Sequence, residues 1–258
     1  MGKLSINYLS FIRKPSYNRF QDVSEKAKML IVFKVFLFNT LGLIIVNTPV
    51  IILKEVGMIS PIMMKTELII RSIPASHSNL KTYLLIYTIF LVPVLEEFTF
   101  RLCLTKFRVK YFIVSVSLLI GSFVVMCVKR QLWISKSDFM LSIAGFLYIL
   151  LFSLIAGGFL WIFRKKIKKI KNIWNKNAAF GVYFISALFA IFHINNLKFE
   201  SKDWFFMPLI LAPFFVYGMS FSYLRVRLGI WYSILLHFII NLIASIGLLQ
   251  LLPIFYGK

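Results

Sequence analysis

Seven stretches of this chain, at approximately 30–53, 82–104, 111–128, 139–163, 178–194, 204–223 and 230–251, are almost uninterrupted in apolar residues. A helix needs about 20 such residues to cross a bilayer. The run at 178–194 is the shortest, and its helix is expected to start earlier. Backbone polar groups inside lipid must be satisfied within the segment itself, so runs of this kind fold as helices. The expected fold is therefore all-α, a polytopic membrane helix bundle of about seven spans. Composition agrees: 60% of the 258 residues are hydrophobic and 17% aromatic, against 15% charged. A soluble domain is roughly 45–50% apolar, which excludes a single soluble enzyme core. The same apolar mass excludes a disordered basic protein.

The formal charge of +21 invites comparison with nucleic-acid binders, but its placement argues otherwise. The basic residues lie between the apolar runs, where they anchor helices and meet anionic lipid head groups. No nucleic-acid partner is expected. With the N-terminus in the cytoplasm, 19 of the 30 Lys and Arg fall on the cytoplasmic side and ten on the other, as the positive-inside rule requires. The densest basic stretch, Arg164 to Lys176, reads as a topology anchor that can lie along the inner surface. Residues 1–29 form a basic cytoplasmic segment without the apolar core of a removable signal peptide. Residues 30–258 form one membrane domain. Residues 54–81 read as a long loop, with room for an interfacial helix. Lys outnumbers Arg by 21 to 9 and Ile and Phe are abundant, which suits an AT-rich bacterial genome and hence a bacterial plasma membrane. Cys103 and Cys127 lie in or beside apolar runs near opposite membrane faces and are not expected to pair.

Charge inside a bilayer costs about 2.5–3.5 kcal/mol per residue, so such groups face a protein interior or a wet cavity. Three runs carry them. In the first, Pro93 precedes Glu96, Glu97 and Arg101. Glu97 and Arg101 stand four apart with the acid first, the favourable order for a helical ion pair. That leaves Glu96, about 100° around the helix, as an unpaired carboxylate able to act as a general base. Pro93 cannot donate to the Ile89 carbonyl, so a kink is expected just before the acids. The second cluster is Phe189 to His193, followed by Asn195 and Asn196. The third is His237 and Asn241, which share a helix face. Each alone also has a structural reading: an ion pair, a satisfied histidine, an interhelical hydrogen bond. His77 sits in a polar loop and reads as solvated. Gly157 and Gly158, and Gly218 with Ser222, read as helix-packing positions.

Together, Glu96-Glu97-Phe98-Thr99-Phe100-Arg101, Phe189 to His193 and His237 to Asn241, in that order on separate membrane helices, resemble the CPBP family. These are the CaaX-protease and bacteriocin-processing (Abi) intramembrane proteases. Gly218 to Trp231, a helix ending in basic residues before a Gly turn, is similar as well, and the likeness extends over about 80–251. The resemblance implies a helical fold enclosing a polar intramembrane cavity. It also implies hydrolysis of a peptide bond in a membrane-associated protein or peptide precursor. Glu96 would activate water with help from His193, His237 and Asn241 would stabilise the oxyanion, and Glu97 and Arg101 would support the site. A metal-free reaction is favoured, so no cofactor is required. If a metal is present, Glu96, His193 and His237 are the set that would hold zinc, although there is no His-Glu-x-x-His pair. Two other roles compete: a non-catalytic membrane immunity or export-accessory protein with the same fold, and a small proton-coupled carrier. Carriers commonly show an inverted repeat, and none is recognised here. A rise of about 1.5 Å per residue puts Glu96 and His237 near one membrane edge and His193 nearer the other. A shared site thus requires tilted or broken helices, or a helix at 178–194 that starts outside the bilayer.

Overall fold

The computed structural model describes residues 2–60, 63–64, 78–132 and 138–256. Helix α1 (Gly2–Arg13) leads to α2 (Glu25–Glu55). Helices α3 (Ser78–Ile86) and α4 (Val92–Phe100) are joined through a π-helical turn, Tyr87–Leu91, into one rod of membrane length. Helices α5 (Val109–Leu132) and α6 (Asp138–Ile162) pack as a pair. Two short helices, α7 (Arg164–Ile167) and α8 (Lys171–Lys176), precede α9 (Ala178–Phe192). Helices α10 (Met207–Arg227) and α11 (Ile230–Tyr256) end the fold. A two-residue ladder pairs β1 (Met63–Met64) with β2 (Leu197–Lys198), Met63 opposite Lys198 and Met64 opposite Leu197.

The fold is the expected polytopic helical bundle. Among the described residues six helical segments are long and apolar enough to span a bilayer, and residues 230–246 of α11 form a shorter apolar helix. Most of the long loop expected over 54–81, with His77, lies outside the described residues. The run at 82–104 ends as helix at Phe100; Arg101 to Cys103 form a buried turn. Cys103 and Cys127 are both free, and burial pushes the Cys103 thiol up to about 11.

Small residues set the helix approaches. A Cβ on Gly218 would stand 3.1 Å from Ser186 Cα, and one on Gly157 would stand 3.2 Å from Ser117 Oγ. Gly158 instead faces open space. Ser186 and Ser222 Oγ lie 3.3 Å apart across α9 and α10. The core gathers on α9, α10 and α11, where Val182, Phe189, Phe221, Tyr223 and Leu236 are almost fully covered. Helix α1 joins it rather than trailing as a basic tail. Phe11 is completely buried, and Tyr8 hydroxyl lies 2.7 Å from Ser220 Oγ, which donates to Asn39 Oδ1 at 3.0 Å. Four basic segments meet on one face of the bundle. Trp174 Nε1 donates to the Thr105 carbonyl at 3.2 Å, the Phe20 amide to the Arg227 carbonyl at 3.0 Å, and Trp174 stacks on Tyr17.

Candidate active site

The two adjacent glutamates have opposite surroundings. Glu97 is fully buried. Its Oε1 accepts from Arg101 Nη1 at 3.0 Å and lies 3.1 Å from His237 Nδ1, and its Oε2 accepts from the Ser233 hydroxyl. The i, i+4 pair read from sequence is thus formed, and a serine and an imidazole from α11 complete the shell. Ser233 Oγ is also 2.9 Å from the Phe221 carbonyl. Arg101 is equally buried, with its guanidinium carbon 4.0 Å from the Phe189 ring centre and 5.0 Å from that of Phe221. Its Nε and Nη2 have no hydrogen-bond partner among the described residues, so the aromatic faces are their neighbours. Its carbonyl accepts from Arg225 Nε at 2.9 Å, tying the turn after α4 to α10.

Glu96 stays outside this network. Among the described residues it forms no hydrogen bond, and the His237 ring stands beside it, with Nε2 3.6 Å from Oε2. The Glu96 side chain is 22% exposed, whereas Glu97 has no exposure. His237 therefore stands between two carboxylates, one at each ring nitrogen. Its ring stacks on Phe221, with centroids 4.4 Å apart.

His193 closes α9 and begins a short 3-10 turn. Its Nδ1 donates to the Phe189 carbonyl at 2.8 Å, which leaves Nε2 as the unprotonated acceptor of the neutral ring. One ring links the two histidines: the Phe189 centroid is 4.4 Å from that of His193 and 6.1 Å from that of His237. Phe214 also stacks on His193, with centroids 4.4 Å apart. His193 sits at the end of the 15-residue α9, and the Phe189 ring one turn earlier is the contact it shares with His237.

Asn241 is placed by Pro93. In the π turn the Val92 amide reaches back to the Tyr87 carbonyl, skipping that of Thr88. Five residues beyond Thr88 stands Pro93, which has no N–H to offer. The Thr88 carbonyl is thereby left open, and Asn241 Nδ2 donates to it at 3.1 Å. The disturbance expected before the acids is accordingly a π turn, a feature common at functional sites, with Pro93 in the first turn of α4. Asn241 retains a second amide proton.

A catalytic zinc ion needs three protein ligands and an open position. Glu96 and His237 face one another, but among the described residues no three His, Cys, Asp or Glu side chains converge to hold a metal ion. As placed, Glu96, His193 and His237 do not form a zinc site.

Fold and site together define a polytopic membrane protein with a carboxylate–imidazole centre held between α4, α9 and α11. The family model for Type II CAAX prenyl endopeptidase Rce1-like proteins matches residues 78–243, nearly two thirds of the chain, and the protein belongs to that family. All three motifs fall inside the match. Membership makes it, at family level, a CAAX-type intramembrane protease and hence a hydrolase. No curated protein and no solved structure matches the chain.

Proposed function

We propose that the protein is an intramembrane endopeptidase that hydrolyses a peptide bond of a membrane-associated protein or peptide precursor with a water activated by Glu96. One observation carries this reading. Of two consecutive acids, Glu97 is neutralised by Arg101 and held by Ser233 and His237, while Glu96 is left partly accessible beside His237. A carboxylate without a fixed partner, next to donors, is what a general base requires. Water held between Glu96 and the free Nε2 of His193 attacks the carbonyl carbon as Glu96 takes its proton. His237 and the second amide proton of Asn241 face the oxyanion. Nε2 is the ring atom turned that way, since Nδ1 faces Glu97. Collapse of the intermediate breaks the C–N bond, and Glu96 returns its proton to the leaving amine.

The orientation with the N-terminus in the cytoplasm is part of the same proposal. It is supported by the basic segments around residues 17–20, 105, 174 and 227, which touch one another on one face. A bacterial plasma membrane remains the proposed location on compositional grounds.

The test is cleavage of a CAAX-ended peptide, prenylated and unprenylated, by the purified protein in lipid vesicles. Glu96→Gln should lower the rate by about 10²–10⁴-fold with unchanged insertion and melting temperature. Full activity of Glu96→Gln would overturn the mechanism. A wild type that cleaves neither peptide, with Glu96→Gln supporting every cellular phenotype, would favour the non-catalytic accessory role instead.

A further inference from the structure

On the basic face a cavity of about 630 Å³, whose lining does not include Glu96, opens where the α1–α2 linker, the turn after α4 and the α8–α9 junction meet. Three lysines from those three segments, Lys14, Lys106 and Lys176, line it, and none of its lining residues is acidic. Among the described residues none of the three forms an ion pair with a carboxylate. All three are exposed at its rim, and three like charges around one concavity make it attractive to an anion.

The walls are held in place by contacts that do not use the lysines. Tyr17, which lines the cavity, stacks on Trp174 with centroids 6.3 Å apart, and the Trp174 indole is bound to the Thr105 carbonyl. The Phe107 amide donates to Asn175 Oδ1 at 2.8 Å, which turns the carbonyl side of that amide to the protein and leaves its NH2 group as a further donor. Asn175 lines the cavity, as does Ala178 at the start of α9, where no side chain caps the helix. The volume lies within the range of sites for small ligands, about 300–1,000 Å³. The aromatic pair stands where spanning helices leave the bilayer, the level at which Trp and Tyr meet head groups.

We infer that this cavity binds a phosphate-bearing group, and that its source is the head group of an anionic phospholipid seated between Lys14, Lys106 and Lys176. The assignment is independent of the proteolytic reading, because it uses none of the motif residues.

The experiment compares lipid retained by the full-length protein in detergent, read by native mass spectrometry after exchange from vesicles of phosphatidylglycerol and phosphatidylcholine. Wild type should retain phosphatidylglycerol preferentially, and Lys14→Ser/Lys106→Ser/Lys176→Ser should lose that preference by roughly tenfold or more. A control, Lys165→Ser/Lys168→Ser/Lys169→Ser, removes the same charge from the neighbouring basic stretch outside the cavity and should change retention less than about twofold. Melting temperatures of both variants report folding. Equal loss in the two variants, or none in the first, would overturn the site. Inorganic phosphate added as competitor separates the sources: displacement only at high excess supports the lipid, and saturable binding of phosphate without lipid would transfer the site to a soluble ion and overturn the lipid assignment.

Discussion

The α5–α6 pair and the helices that carry the polar motifs are built from the same apolar residues, yet they are packed very differently. Only 6% of the spanning window Ala144–Ile162 in α6 is buried, against 28% of Thr82–Phe100 and 39% of Ala178–Asn196, which carry the first two motifs. The pair is held by close backbone approach: a Cβ on Gly121 would fall 2.6 Å from the Ile149 carbonyl oxygen, and Ser117 and Ser153 turn their hydroxyls back onto their own helices. The motif helices are joined through polar side chains that reach other helices, Ser233 and His237 to Glu97 and Asn241 to Thr88. Lipid supplies little drive for apolar surfaces to associate, so contact in the membrane comes from packing or from hydrogen bonds. One region uses each.

That contrast can be broken by substitution. The largest effect is expected for Glu97→Gln, which removes a charge shared by Arg101, His237 and Ser233 in a buried site. Breaking such a network costs about 3–5 kcal/mol, so both cleavage and melting temperature should fall sharply. A Glu97→Gln protein that melts like wild type would show that the network does not hold the helices. Gly121→Val should come next, since the added branch meets backbone that cannot move aside. Overpacking costs about 1–3 kcal/mol, and here it should lower melting temperature while the cleavage rate per folded molecule stays near wild type. A lost rate with an unchanged melt would make α5–α6 part of the catalytic unit. Ser233→Ala is the smallest change. It removes one hydrogen bond to a charged group, about 1–3 kcal/mol, and should slow cleavage modestly, with Ser233→Thr recovering part of the rate.

Much of the centre was legible in the sequence because it depends on spacing within one helix. Glu97 and Arg101 pair as their four-residue separation dictates, and Glu96 is turned away as one residue of helix requires. His237 and Asn241 do share a face. Spacing could not say what that face meets, since that depends on the register between α4 and α11. Ser233 is four residues before His237 and so lies on the same face, but a lone serine in an apolar helix looks like packing. The partner of Asn241 follows from Thr88 and Pro93 standing five apart, a signal readable only once a π turn is admitted. Helix α1 carries little signal in the sequence, because twelve residues with basic flanks resemble a solvated anchor. Its apolar residues do not form one clean stripe: Tyr8 and Phe11, three apart, are buried while Leu9 between them is exposed.

The convergence of the motifs is tested most directly by a double-mutant cycle on cleavage between Glu96→Gln and His237→Ala. Residues acting as one unit are strongly non-additive. The account predicts that each single variant loses most of the rate and that the double variant is no slower than the worse single within a few-fold. Losses that multiply, or a His237→Ala protein as active as wild type, would contradict a shared site.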